Sequence, residues 1–406
     1  EKCTACGACT EACRYNALAL VKGTVVVFDE LCHSCGVCTH VCPEGAFSEE
    51  PRATGRVEIA ERHQPFRFAH GILNVGEARA PSVVKAVKAH GGRDGVTIID
   101  AAPGTSCPVV EACTGADVAV LVTEPTPFGL NDLKLAVGLT LTLGIPTGLV
   151  VNRSDGEDRL IEDYAREAGV PIIGRIPFRR AYAEAYAGGG VLAARFPEVR
   201  AAVDEVHSAA MKLAGCTPPP LPEVADVPVT PVKNERIGGQ PGREMVVISG
   251  KGGTGKTTVT ASFAQLARTA VIADNDVDAA DMHLLLAPEE RAAHEFRGGA
   301  KATIIPEKCI GCGKCADACR FDAIDLSGAG NDIVGKTYLI DPMGCEGCGL
   351  CPRVCPVDAI EFGDVVTGHW YVSETPWGEM AHARLGIAEE NSGKLVTLVK
   401  QRARLF

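Results

Sequence analysis

Four stretches of this 406-residue chain share one spacing, C-x2-C-x2-C-x3-C, and no other feature narrows the fold as far. Cys3, Cys6, Cys9 and Cys13 form the first, and Cys32, Cys35, Cys38 and Cys42 the second. Cys309, Cys312, Cys315 and Cys319 form the third, and Cys345, Cys348, Cys351 and Cys355 the fourth. Sixteen of the nineteen cysteines therefore obey one rule. A disulfide framework belongs to small secreted chains and has no need of such regularity. Zinc uses two C-x2-C pairs per site and gives no reason for a third cysteine at the same interval and a fourth after a three-residue gap. A tight loop of this spacing wraps three thiolates around one face of a cuboidal [4Fe–4S] cluster, and the fourth thiolate must come from elsewhere.

The pattern resembles that of bacterial two-cluster ferredoxins, in which the fourth ligand is lent by the other run. The resemblance implies four clusters. One takes Cys3, Cys6, Cys9 and Cys42, and one takes Cys32, Cys35, Cys38 and Cys13. A third takes Cys309, Cys312, Cys315 and Cys355, and the last takes Cys345, Cys348, Cys351 and Cys319. Gly7, Gly36, Gly313 and Gly349 sit inside the loops, where backbone approaching a cluster favours a residue without Cβ. Pro43 and Pro356 follow the last cysteine of the second and fourth runs, as in ferredoxins, but Arg14 and Arg320 stand there in the first and third.

A second motif lies at 245–258. The apolar run Met245–Ser249 reads as a strand, "GKGGTGKTT" follows from Gly250 to Thr258, and a helical pattern comes next. This is G-x4-G-K-[ST] in its strand–loop–helix setting. The amides of Gly250, Gly252, Gly253, Thr254 and Gly255 would cradle phosphates, Lys256 would reach the β- and γ-phosphates, and Thr257, with Thr258 beside it, would hold Mg²⁺. The bland alternative is a glycine-rich turn. The early lysine, Lys251, makes the loop resemble the deviant Walker A motif of the MinD/ParA-type ATPases, which include the nitrogenase iron protein. That resemblance implies that Lys251 reaches across a dimer to the partner's nucleotide.

The same resemblance assigns the acidic turn "DNDVDAAD" after the short strand Val271–Ala273 to a first switch, with Asp276 the first choice of Mg²⁺ sensor and Asp278 the second; an acidic helix cap is the alternative. Val96–Asp100 followed by "AAPG" resembles the second switch, with Asp100 acting on the Mg²⁺ shell or attacking water and Gly104 on the γ-phosphate; a plain strand-to-turn Asp is the alternative. Asn152, after the strand in "PTGLVVNRSD", resembles the adenine-reading position, although Asn commonly ends strands. Strands at 118–123 and 171–177 and a helix at 130–143 complete the alternation. The expected fold is α/β, a doubly wound, mostly parallel sheet of the deviant Walker A kind with two inserted α+β ferredoxin-like domains.

The motifs repeat. Residues 1–20 and 307–326 agree at eleven of twenty positions, and the stretches beginning at His70 and His382 align without a gap. The chain thus reads as two copies of one unit, an ATPase with a ferredoxin insert. Copy one comprises ferredoxin (1–50) and ATPase C-terminal half (51–215); copy two comprises P-loop half (244–300), ferredoxin (301–363) and continuation (364–406). Copy one lacks its P-loop and copy two its second switch, so the simplest expectation is a fragment of a longer tandem protein. The Pro- and Gly-rich linker 216–243 can span up to about 90 Å, which permits the two halves to dock and share one composite nucleotide site, with Lys256 and Thr257 facing Asp100.

With 51 acidic against 40 basic residues and a net charge of −11, the chain has no basic excess for nucleic acid. No signal peptide or membrane span is evident, and a cytoplasmic protein is the default expectation. Cys107, Cys113 and Cys216 lie outside the runs and read as small buried hydrophobes, with a weaker redox or ligand option for Cys107. The resemblance implies ATP hydrolysis with Mg²⁺, in a homodimer or a pseudo-dimer of the tandem copies, coupled to low-potential electron transfer to an unknown redox partner protein. The rivals are an iron–sulfur carrier or assembly ATPase, and a MinD-like positioning ATPase with structural clusters.

Overall fold

The structure is a computed structural model that describes residues 2–60, 67–77, 79–91, 95–220, 244–248, 253–267, 270–387, 389 and 392–406. The chain divides into two compact units, residues 1–100 with 297–367, and residues 101–296 with 368–406.

The first unit holds two modules of one design. In each, two five-residue helices carry cysteines: Ala8–Ala12 and Val37–Val41 in one, Lys314–Ala318 and Leu350–Val354 in the other. An antiparallel hairpin joins the helices, Leu18–Val21 with Thr24–Val27 and, in the other module, Ile324–Gly328 with Thr337–Ile340. Lys22 and Gly23 both have positive φ, 48° and 78°, as a two-residue hairpin turn with right-handed strand twist requires. The second module gains an antiparallel pair, Gly299–Ile304 with Ile360–Val365, and packs Ala302, Ile304, Ile324, Ile340 and Ala359 around Cys309 and Cys315. A further hairpin, Gly55–Ala60 with Phe68–Leu73, follows the first module and is backed by the helix Ala80–Lys88.

The second unit contains a parallel three-stranded sheet in the order Ala119–Thr123, Thr147–Ser154, Ile172–Pro177. Its central strand is buried without interruption from Thr147 to Val151, the pattern of a parallel strand covered on both faces. Leu149 and Val151 meet Leu133, Val137 and Leu141 of the helix Pro127–Thr142 and Ile161 of the helix Arg159–Ala168. Val150 faces the other way, onto Ala210 of the helix Pro197–Leu213. This part is doubly wound. Thr126 caps the 127–142 helix by accepting the Gly129 amide at 3.0 Å, and Pro127 opens it.

The other sheet of this unit corrects the expectation of a mostly parallel array. Its order is Ile272–Ala273, Gly378–Leu385, Gly368–Thr375, Glu289–Phe296, and only the first pair is parallel. Gly368–Thr375 and Gly378–Leu385 are antiparallel because a two-residue turn joins them, and Glu289–Phe296 pairs antiparallel with Gly368–Thr375 although the whole ferredoxin insert lies between them in sequence. Two expected strands are also absent. Val96–Asp100 and Met245–Ile248 form no strand, and Ile98 and Ile248 are 87% and 84% exposed. Neither pairs with a neighbouring edge among the described residues, and an apolar run becomes a strand only when a ladder and a covering layer meet it. Ser249 and linker residues 221–243 lie outside the described residues. Among the described residues no helix is long and apolar enough to cross a membrane.

Candidate metal centres and phosphate-loop site

The four cysteine runs adopt one backbone path. The glycine after the second cysteine is left-handed in each, with φ of 82° at Gly7, 78° at Gly36, 79° at Gly313 and 75° at Gly349. The residue just before the second cysteine is left-handed too, whether glycine or not: Ala5 and Ser34 at 55°, Gly311 at 65°, Gly347 at 62°. Each loop glycine starts a five-residue helix whose second residue is the third cysteine, and the fourth cysteine ends that helix in extended conformation. Two left-handed residues in five curl the loop so that successive thiols converge on its concave side. The sequence pattern signalled the glycines; the strain at Ala5 and Ser34 carried no signal of its own.

Two small cavities open where the fourth ligand was expected to cross over. One is lined by Cys3, Cys6, Cys9 and, from the second run, Cys42. The other is lined by Cys309, Cys312, Cys315 and, from the fourth run, Cys355. Backbone amides already point at sulfur: Ala46 donates to Cys42 Sγ at 3.3 Å, Ala359 to Cys355 Sγ at 3.3 Å and Ala5 to Cys3 Sγ at 3.4 Å. Such N–H···S bonds stabilise thiolate and tune a cluster's potential. In the remaining sets, burial first and then neighbouring thiols act on Cys351, from Cys345, Cys319 and also Cys315 of the third run, and on Cys38, from Cys35 and Cys32. Cys13 is the half-buried C-cap of its helix. Burial raises the thiols of Cys9, Cys38 and Cys315, and pushes Cys351 up to about 12. Each set combines partly or fully buried thiols, poor anions alone and good ones beside iron, with more exposed ones, so the donor set fits an iron–sulfur cluster. Among the described residues no three His, Cys, Asp or Glu close around a single ion; the cysteines line wider spaces.

In the second unit, Gly253 and Gly255 are left-handed at 73° and 89°, and the helix Lys256–Ala267 begins directly after them. Lys256 Nζ lies 2.8 Å from Asp276 Oδ2, so the loop lysine and the first-choice switch aspartate meet. Buried Asp274 organises the turn by accepting the amides of Asp276 and Met282 at 3.1 and 3.4 Å. Burial pushes the Asp274 carboxyl up to about 6, and burial with the nearby Asp132 charge pushes Asp281 up to about 7. Burial and the Asp276 charge raise Asp278 and Asp132 as well. Asn131 donates to Asp281 at 3.0 Å. Asp132, Asn131, Asp274 and Asp281 were not singled out from the sequence. Asp274 and Asp281 belong to the quoted acidic turn, whereas the helix bearing Asn131 and Asp132 lies about 150 residues earlier and gave no sign of its destination.

Thr257 is half-buried and Thr258 exposed on the loop helix. Thr254 is exposed. Gly250, Lys251 and Gly252 lie outside the described residues. Asp100 is the exposed last residue of the first unit, whereas Gly104, with φ of 91°, belongs to the second. Asn152 is half-buried opposite Ile176, and the left-handed Arg153 after it, at 55°, shifts the register of that strand pair. Cys107 and Cys113 are the half-buried ends of one helix. Cys216 is exposed, contrary to expectation, because it lies beyond the end of the 197–213 helix, where its thiol donates to the Lys212 carbonyl at 3.4 Å.

The profile of the 4Fe-4S dicluster domain family matches residues 2–46 and again residues 308–359, so both modules are iron–sulfur domains of ferredoxin type. Two uncharacterized proteins of Methanocaldococcus jannaschii are similar. MJ0578 is 37% identical over 169 residues, which is 40% of this chain and 55% of that protein. MJ0579 is 38% identical over 94 residues, 21% of this chain and 35% of that protein. The chain thus spans about half, or less, of the relatives it matches.

Proposed function

We propose that this protein binds and hydrolyses ATP and uses the accompanying movement of its switch segments to control low-potential electron transfer through its iron–sulfur modules. The observation that carries the nucleotide half is the contact of Lys256 with Asp276 at the mouth of a left-handed glycine loop. Both side chains are more than one-third exposed or close to it, and such a pair is worth only about 0–1 kcal/mol. A nucleotide's terminal phosphates, with several charged oxygens and the loop amides behind them, outcompete one carboxylate. Lys256 then turns to phosphate, and Asp276 is released to the Mg²⁺ that the nucleotide brings, with Thr257 as the other protein ligand and Asp278 adjacent. Because Asp274 ties the amides of Asp276 and Met282 together, the turn moves as a body. In this reading Lys251 acts on the partner copy's nucleotide in a homodimer or pseudo-dimer, Asp100 acts on the attacking water, Gly104 follows the γ-phosphate and Asn152 reads adenine.

On the redox side, the sixteen run cysteines hold four clusters in the crossed sets given above, and the clusters supply one-electron carriage. The protein's part is the two-residue left-handed curl, the amide bonds to sulfur and the apolar packing around Cys309 and Cys315. An anaerobic reductive titration with and without Mg-ATP tests the coupling. The expected result is a shifted midpoint with nucleotide and a hydrolysis rate that depends on redox state; hydrolysis indifferent to both redox state and electron acceptor would refute it. The exposure of Cys3, Cys6 and Cys312 favours a second reading, in which clusters are cargo for delivery. Transfer of iron and sulfide to an apo-acceptor on a minutes timescale would select that reading instead.

A further inference from the structure

The four runs differ in what they face. The first and third line separate cavities and leave Cys3, Cys6 and Cys312 exposed. The second and fourth turn towards each other: Cys35 and Cys348 pack against the same buried side chains, Ala12 and Val37 of one module and Leu350 of the other. Cys35 and Cys348 hold the same place in their runs, so a residue meets its own repeat. That is the mark of a two-fold-like, self-complementary interface.

The flanks follow the same logic. Arg320 donates to the Ser34 carbonyl at 3.0 Å and pairs with Glu49 at 2.7 Å, and its guanidinium covers Gly36 so closely that a Cβ there would lie 2.8 Å from it. Its repeat mate, Arg14, stacks over Phe362 with the guanidinium carbon 5.1 Å from the ring centroid. These are the two positions where the other runs carry Pro43 and Pro356. A proline there serves its own module; an arginine reaches the other one.

We propose that this pseudo-two-fold contact joins the modules into one redox-coupled body, with the ligand sets of Cys35 and Cys348 adjacent and with Arg14 and Arg320 as the positioning residues that hold it. An electron lost by one module is gained by the other, with no bond made or broken, and the exposed cysteines lie at the two outer sets. The inference rests on the dicluster reading and not on ATP. Its test is electron paramagnetic resonance of the full chain, purified anaerobically and reduced with dithionite, alongside iron analysis. The unaltered chain is expected to show a fast-relaxing, broadened component, and R14A/R320A to lose it while keeping its iron. E49R, which sets a like charge against Arg320 and contacts the second run only through the Thr39 hydroxyl, is expected to do the same and decides the matter if the double variant loses iron. Spectra of E49R matching the unaltered chain at equal iron content would overturn the interface. Absence of iron from the unaltered chain would instead overturn the dicluster reading itself.

Discussion

Asp281 shows how a single side chain reports on the acidic turn. It sits with Asp132, Asp274 and Asp276, and burial first, then the Asp132 charge, brings its carboxyl up to about 7 from an ordinary value of 3.8. The folded chain therefore keeps a proton that the unfolded chain has released. The stabilisation tied to that proton is complete below about pH 4 and is lost as pH rises to about 7. His382 and His283 work in the opposite sense, since burial holds them down to about 3 and about 4. Their contribution is complete above their ordinary value of 6.5 and is lost as pH falls. In D281N the carboxyl's share disappears and the imidazoles' share stays. Urea unfolding at pH 5 and pH 8 should show D281N gaining stability relative to the unaltered chain at the higher pH. A difference between the two chains that does not change with pH would mean that Asp281 is not raised by its neighbours.

At the level of elements, the loop glycines and the strand glycines of the second module make a matched pair of tests. Gly349 is left-handed at 75°, and a Cβ there would lie 3.2 Å from the Phe362 ring. Gly363 lies in the Ile360–Val365 strand with open space where its Cβ would go. G349A should cost about 1–2 kcal/mol from handedness alone and lower the iron bound per chain. G363A should stay within about 0.5 kcal/mol and keep its iron. Equal effects in denaturant unfolding and iron analysis would show that loop conformation does not govern the site. This part of the fold was legible in the sequence because ligand spacing fixes backbone over four or five residues, and Gly7, Gly36, Gly313 and Gly349 sit where the curl needs them. The apolar strand read before Asn152 and the helix read at 130–143 were legible from their own local patterns, although the helix starts earlier, at Pro127, under a Thr126 cap that was not read. Val96–Asp100 and the described part of Met245–Ser249 were misread because a short apolar run carries its own propensity but not its partner's edge. The meeting of Asn131 with Asp281, and of Arg320 with Ser34, depends on segments 150 and 286 positions apart, and no local pattern encodes such meetings.

Across the whole molecule, the repeat puts equivalent residues into unequal surroundings. Gly55–Ala60, Phe68–Leu73 and Ala80–Lys88 correspond to Gly368–Thr375, Gly378–Leu385 and Ser392–Ala403. His70 in the first set is exposed and pairs with Glu58 at 3.1 Å, whereas His382 is 1% exposed and bonded to Ser373 at 2.9 Å. The difference follows from Ile272–Ala273 and Glu289–Phe296, which flank the second hairpin and convert it into the middle of a four-stranded sheet. The same Ile272–Ala273 strand leads straight into the acidic turn at Asp274, so the phosphate-loop half and the four-stranded sheet of the second unit are one piece of architecture. Removing the lysine at its mouth should therefore separate chemistry from scaffold. In K256A, phosphate release should fall about 10²–10³-fold, the usual cost of losing one donor to a developing charge. Iron content and the reduced spectrum should not change, because Lys256 touches no cysteine run and its pair with Asp276 adds little stability. Phosphate-release assays and iron analysis on one anaerobic preparation measure both. If iron falls together with hydrolysis, the lysine serves the fold; if hydrolysis persists, the glycine loop is not the site of phosphate chemistry and the coupling proposed for this chain has no motor.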